Sequence, residues 1–360
     1  MAIWLLGYTK RDPLLTYYGS SGWHAHEMLF GYAVAVIAGF LLTAVRNWTN
    51  LETARGMPLG ALVLLWLAGR VLPLLSAIPP WAVAVADLSF LPALALALAV
   101  PLLRSGQRKN LFVLAVLAAL MVANVLVHAE WLGYAMDTAH LGIVLAIYTI
   151  TALIAVIAGR VIPFFIERGI PGVKIQRRPV IEYMSVMTVI LLAFADLLSP
   201  SVQAVAACAL LAAAVHAWRL RGWLVRAALS QPLLWVLLAG YAWLAVGFVL
   251  LAVAYGGFIP VMLAFHALTV GGIGVLTLGM MARVALGHTG RPLRPSPPVT
   301  LAFALLNIAA AVRIAGPLLT VRYTKAMIGA AGALWIVSFT LFLFIYAPIL
   351  MQSRVDGRSG

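Results

Sequence analysis

Eleven runs of about twenty apolar residues follow one another from Trp23 to Leu350, separated by short loops that hold most of the charge. A run of that length spans the hydrocarbon core of a bilayer as an α-helix. In lipid only helices and closed barrels satisfy their backbone, and these runs lack the period-two alternation of a barrel. The chain is therefore expected to be all-α, a polytopic transmembrane helix bundle forming one membrane domain over residues 1–360. Spans are expected near 23–45, 57–77, 80–103, 109–128, 138–165, 179–197, 200–218, 232–255, 260–285, 298–316 and 325–350. Composition agrees: 64% of residues are hydrophobic and 9% charged, against about 25% charged in soluble domains.

A formal net charge of +14 would suit a nucleic-acid partner. The distribution excludes it, because the basic residues lie in short loops between spans. Eighteen Lys and Arg fall in loops on one side and five on the other, with Arg70 inside a span. That asymmetry reports orientation, and it predicts a cytoplasmic C-terminus and an outer N-terminus. An outer N-terminus with no cleavable signal peptide leads to a further expectation: a twelfth helix precedes "MAIWLLGYTK", missing here or reduced to that fragment. The single cysteine, Cys208, excludes an intrachain disulfide and a CxxC metal site.

The seven histidines sort by depth. His24 and His26 open the first span, His128 closes the fourth, His140 opens the fifth, and His266 lies just inside the ninth. With the expected topology all five gather at the outer face, whereas His216 and His288 lie at the other and read as interfacial residues. Interfacial histidines can be simply comfortable at headgroup depth. Imidazole is also the commonest metal ligand, and ionisable groups within spans are functional by default. On a regular helix His24 and His26 stand about 200° apart, so they cannot both ligate one metal. Glu27 lies between them in angle and suits a carboxylate orienting an imidazole, or an interfacial carboxylate favoured by the helix dipole. Arg160 reads as a cytoplasmic-side anchor or a partner for a haem propionate. Asp87, Glu182 and Asp196 either relay protons or pair with neighbours, and Pro92, Pro163 and Pro317 interrupt or end spans.

An internal echo links two of the spans. From His26 the chain reads H-x4-G-x7-G through Gly31 and Gly39, and from His266 it does so again through Gly271 and Gly279. Two parallel helices with histidine at equal depth and glycines below would suit a flat ring held by His26 and His266, a haem best of all. His24 would then serve a second centre with His128 or His140.

The stretch "WHAHEMLFGYAVAVIAGFLLTAVRNWT" strongly resembles the NnrS family of bacterial nitric-oxide-response membrane proteins. "GRVIPFF" at 159–165, "QPLLWVLLAGYAWLAVGFVLLA" at 231–252 and "HALTVGGIGVLTLGMMARVALGHTGRPL" at 266–293 agree with it. The resemblance implies twelve helices in the bacterial inner (cytoplasmic) membrane, haem b and copper as cofactors, and protection from nitric oxide. Carried over by motif, its candidate ligands fall on His24, His26, His266 and His288. The chain departs from the family at Arg46, where proline is common, and at Leu238, near which a histidine is common.

Three functions remain open at this point. One is a haem- and copper-containing protein that binds nitric oxide or, as a nitric oxide reductase-type oxidoreductase of the kind used in denitrification, reduces it with an unidentified electron donor. The second is a metal or haem transporter, which discontinuous helices in matching positions would favour. The third is a membrane nitric oxide sensor.

Overall fold

A computed structural model describes residues 1–10, 17–199, 201–319 and 322–357. Arg11 and Arg358, and the side chain of Lys10, all counted in the charge sorting, lie outside the described residues. A short helix α1 (Ala2–Lys10) precedes eleven helices long and apolar enough to cross a membrane. These are α2 (Gly19–Thr49), α3 (Met57–Leu74), α4 (Pro80–Arg104), α5 (Arg108–Trp131), α6 (Thr138–Gly169) and α7 (Pro179–Leu198). α8 (Val202–Arg221), α9 (Pro232–Tyr255), α10 (Val261–His288), α11 (Pro297–Leu319) and α12 (Thr324–Met351) follow. No strand occurs among the described residues. The expected spans are all present, most of them a few residues longer than their apolar runs. Helix ends carry on past the hydrocarbon core because capping and loop residues still satisfy the last turns.

Local sequence explains the ends. Pro58, Pro80, Pro179 and Pro232 occupy the first turns of α3, α4, α7 and α9, where a missing N–H costs nothing and the fixed φ suits a helix. α2 stops where Asn50 turns left-handed at φ 54° and returns its N–H to Arg46 O. Pro92, Pro163 and Pro317, expected to interrupt or end spans, lie inside continuous helices. Neighbouring helices re-satisfy the freed carbonyls in such bundles.

The chain forms two compact units, Met1–Ile150 and Thr151–Gly360. In the first, α3 is the rim: only 17% of its most apolar window is buried, which leaves most of its apolar surface facing outward. In the second, α10 is enclosed by α9, α11 and α12, with 67% of its window buried. Small residues make this possible. A Cβ on Gly271 would stand 2.5 Å from Trp243, and one on Gly240 2.7 Å from Leu276, so α9 and α10 interlock through glycine on both sides.

The helices also repeat in order, as α2–α5, α6–α9 and α10–α12. "AVIAG" at 35–39 recurs at 155–159, and Gly279 stands a further 120 residues on. In each repeat the second helix packs against the third: α3 on α4, α7 on α8, α11 on α12. His26 and His266 are two such periods apart, with Ala146 between them. The echo extends to the backbone. Directly after His26 the helix widens into a π-turn at Glu27–Ala33, and directly after His266 it does so at Ala267–Gly274. Such turns cluster at functional sites.

Candidate metal centre

Four helix ends meet in the first unit: the beginnings of α2 and α4 and the ends of α3 and α5. Each brings one polar group to similar depth, namely His26, Asp87, Arg70 and His128. His26, Asp87 and His128 are 0%, 4% and 1% exposed. Both imidazoles aim Nε2 at one carboxylate oxygen, Asp87 Oδ2, from 3.1 Å for His26 and 3.0 Å for His128. Asn124, one turn before His128, donates Nδ2 to the same oxygen at 2.7 Å, and its Oδ1 lies 3.0 Å from His26 Nε2. Arg70 donates to the other oxygen, Asp87 Oδ1, and its Nε stands 3.0 Å from Glu27 Oε1.

The π-turn of α2 is held by the same set. Widening the helix frees carbonyls, and α3 supplies their donors: Arg70 Nη1 to Phe30 O at 3.2 Å and Trp66 Nε1 to Gly31 O at 2.9 Å. Gly69 lets α3 approach this closely, since a Cβ there would lie 2.7 Å from Asp87 Oδ1 and 3.2 Å from its Cα.

The far nitrogens of both imidazoles are also engaged. His128 Nδ1 lies 2.9 Å from the Tyr17 hydroxyl and His26 Nδ1 3.5 Å from Glu27 Oε1. Tyr18 stacks on His26 at 4.8 Å between centroids, and Trp131 closes on Tyr18 at 4.3 Å. Burial, and then the Asp87 charge, push the Tyr17 and Tyr18 hydroxyls well above the usual phenol range, so both stay protonated at neutral pH.

These residues fit a metal ion. The ligand atoms of His26, Asp87 and His128 all lie within 4.8 Å of one another. Metal–donor bonds near 2.1 Å put adjacent donors about 3.0 to 3.4 Å apart, and the His26 and His128 Nε2 atoms stand 3.1 and 3.0 Å from Asp87 Oδ2. Charge points the same way: Glu27 and Asp87 face a single Arg70, so with neutral imidazoles the cluster retains one negative charge that a bound cation offsets. Each ligating imidazole would have its other nitrogen oriented, by Tyr17 or by Glu27. Two imidazoles and a carboxylate suit non-haem iron, copper or zinc.

The NnrS protein family matches residues 1–354. The chain belongs to the NnrS family. It is accordingly a multi-pass membrane protein associated with the nitric oxide response. No curated protein and no solved structure matches it.

The expected site residues separate as follows. His26 and His128, assigned to different centres by sequence, come together. Neither His24 nor His140 belongs to the set within ligating reach. His24 faces away from His26 and stacks on Trp4 at 4.2 Å, and His140 is exposed in the first turn of α6. His266 lies in the second unit and donates Nδ1–H to Met262 O at 2.7 Å, which leaves Nε2 to coordinate. His26 instead turns Nε2 toward Asp87 and Asn124 within the first unit. Gly271 and Gly279 pack on Trp243 and Val236 of α9, where they serve helix packing. His288 ends α10 exposed, its carbonyl accepting from Arg354 at 2.8 Å, and Arg160 is exposed on α6.

His216 is a correction: expected at the interface, it is 0% exposed. It donates Nε2–H to Ser185 O at 2.9 Å and accepts from the Tyr241 hydroxyl at 2.8 Å. Tyr241 in turn accepts from Arg219 at 3.0 Å, and Arg219 pairs with Glu182 and donates to Ala155 O at 2.7 Å. The guanidinium and carboxylate fill the space a side chain at Gly159 would take, which is why "GRVIPFF" begins with glycine. Sequence reading passed over Arg70, Asn124 and Tyr17 and left Asp87 undecided. The depth sorting used for the histidines, applied to every polar residue in a span, brings Arg70, Asp87 and Asn124 to the same level.

Proposed function

We propose that this chain binds nitric oxide at a redox metal held by His26, Asp87 and His128, and so protects the bacterial inner membrane and the cell from it. The single observation carrying the reading is the convergence of both buried imidazoles on Asp87 within the spans. Nitric oxide is apolar and partitions into lipid, so a centre sealed by Tyr18 and Trp131 beneath the helix ends suits it. When bound, a copper or iron ion supplies an open coordination position and a one-electron couple. Asp87 and the two imidazoles would hold it, Glu27 and Tyr17 would orient the imidazoles, and Arg70 fixes the orientation of Asp87 through Oδ1.

In the reductase form of this reading, two nitric oxide molecules, two electrons and two protons give nitrous oxide and water, with electrons from an external donor. Haem b, implied by the family resemblance, would be held by His266 through Nε2. The charge asymmetry supports a position near the outer face. The test is metal analysis with optical and electron paramagnetic resonance spectra of purified protein, with and without nitric oxide. Near-stoichiometric copper or iron, lost in His128→Ala and perturbed by nitric oxide in the wild type, is expected. Full occupancy with no spectral response to nitric oxide would overturn the proposal.

A transporter reading has one specific observation in its favour: the π-turns stand at matching positions of α2 and α10, next to His26 and His266. Metal or haem movement in proteoliposomes, without nitric oxide chemistry, would establish it instead.

A further inference from the structure

A cavity of about 390 Å³ opens in the second unit where α7 begins and α8 ends. Its walls include Arg178 and Glu182 at the start of α7, and Trp218, Arg219, Arg221 and Trp223 at the end of α8. This position is the boundary between apolar helix and loop. Below it both helices present apolar side chains outward: Tyr183 and Met187 of α7 are 75% and 59% exposed, and Leu210 of α8 55%.

The charges do not balance. Arg219 is matched by Glu182, and the neighbouring Arg177 by Glu167 at 3.7 Å. Arg178 and Arg221 line the same cavity with no carboxylate in ion-pair reach among the described residues. The cavity thus keeps two uncompensated guanidinium groups. Arg219 forms a fixed floor, locked by Glu182, Tyr241 and Ala155 O. Trp223 is buried 5.0 Å from the Arg219 guanidinium, while Trp218 stands 55% exposed at the edge, as interfacial tryptophans do. No side chain caps α7, so its first turn adds its partial positive charge to the same space.

We infer that this cavity binds a phosphate-bearing anion, and that its occupant is the headgroup of an anionic phospholipid. Two free guanidiniums supply forked donors to phosphate oxygens, and the apolar faces of α7 and α8 below give the acyl chains a path. A soluble phosphate would use the guanidiniums and leave those faces uninvolved.

The experiment is native mass spectrometry of the delipidated full-length protein titrated with phosphatidylglycerol, phosphatidylcholine or inorganic phosphate. Phosphatidylglycerol should bind at least tenfold more tightly than phosphatidylcholine. The double variant Arg178→Gln/Arg221→Gln should lose about tenfold or more of that affinity, at about tenfold for every 1.4 kcal/mol. Arg226→Gln, in the short helix Arg226–Leu229 outside the cavity, should bind as the wild type does. Phosphatidylglycerol with a photoactivatable headgroup, added to the wild type, should crosslink within 176–182 and 218–223, a result that does not depend on any variant folding. Crosslinks elsewhere, equal affinity for the zwitterionic lipid, or a double variant with unchanged affinity would overturn the inference. Inorganic phosphate displacing the lipid at micromolar concentration would show a soluble-anion site and overturn the lipid assignment.

Discussion

Asp87→Asn tests the metal centre with the least change in shape. Asp87 accepts from His26, His128, Asn124 and Arg70, and among the described residues it is the only carboxylate both imidazoles face. The amide keeps the volume, removes the charge, and takes the cluster from one net negative charge to none. Removing an orienting partner of a ligand already weakens metal binding 10- to 100-fold, so losing a ligand should cost about 100-fold or more. At a free metal concentration 100 times the wild-type dissociation constant, binding stabilises the folded state by about 2.7 kcal/mol. A 100-fold weaker variant at the same concentration retains only about 0.4 kcal/mol. For a unit of this size each kcal/mol shifts the melting midpoint by about 2–4 °C, so the metal-induced shift should fall from roughly 5–10 °C to about 1 °C. Without metal, Arg70 still faces Glu27, and the variant should lose about 1–3 kcal/mol rather than the larger cost of an orphaned buried charge. The assay is a thermal melt of detergent-purified protein, metal-free and with copper or iron, beside metal analysis. A variant that keeps the full metal-induced shift would refute the assignment of Asp87 as a ligand, and with it the charge argument.

Other expectations are more local. Gly69→Ala keeps every ligand residue but puts a Cβ 2.7 Å from Asp87 Oδ1, which forces Asp87 to shift; it should weaken metal binding tenfold or more by equilibrium titration, since metal–ligand distances vary by only about 0.2 Å. His24→Ala removes a ring stacked on Trp4 and should leave metal content unchanged, the opposite of His128→Ala in the same measurement. Gly271→Ala forces a Cβ to within 2.5 Å of Trp243 and should destabilise the second unit by about 1–3 kcal/mol in a denaturation series. Cysteines placed between Arg104 and Lys109 should label only from the cytoplasm, and those between Tyr255 and Ile259 only from outside; reversed labelling would invert the membrane orientation.

The helices were legible because lipid imposes a single rule: a span must be long, apolar and continuous, and the runs of this chain obey it from α2 to α12. The site was legible only in part, because depth along a helix can be counted from sequence but the pairing of helices cannot. Counting alone puts His26, Arg70, Asp87 and His128 in the outer part of their spans, within about 10 Å of one another in depth, yet it gave no reason to join α2 and α5 through Asp87 of α4. Spacing suggested His26 with His266 instead. That echo has a real cause, the recurrence of one helix pattern every 120 residues, and both copies follow their histidine with a π-turn. The surroundings then diverge. α3 gives the first copy an arginine and a tryptophan that hold its freed carbonyls and bring Asp87 into play, whereas in the second copy glycines bring α9 against the helix. A repeated backbone feature thus serves a buried polar centre in one unit and close apolar packing in the other. The deciding residues, Gly69 and Arg70 on one side and Gly240 and Trp243 on the other, lie on the partner helices, outside the motif itself.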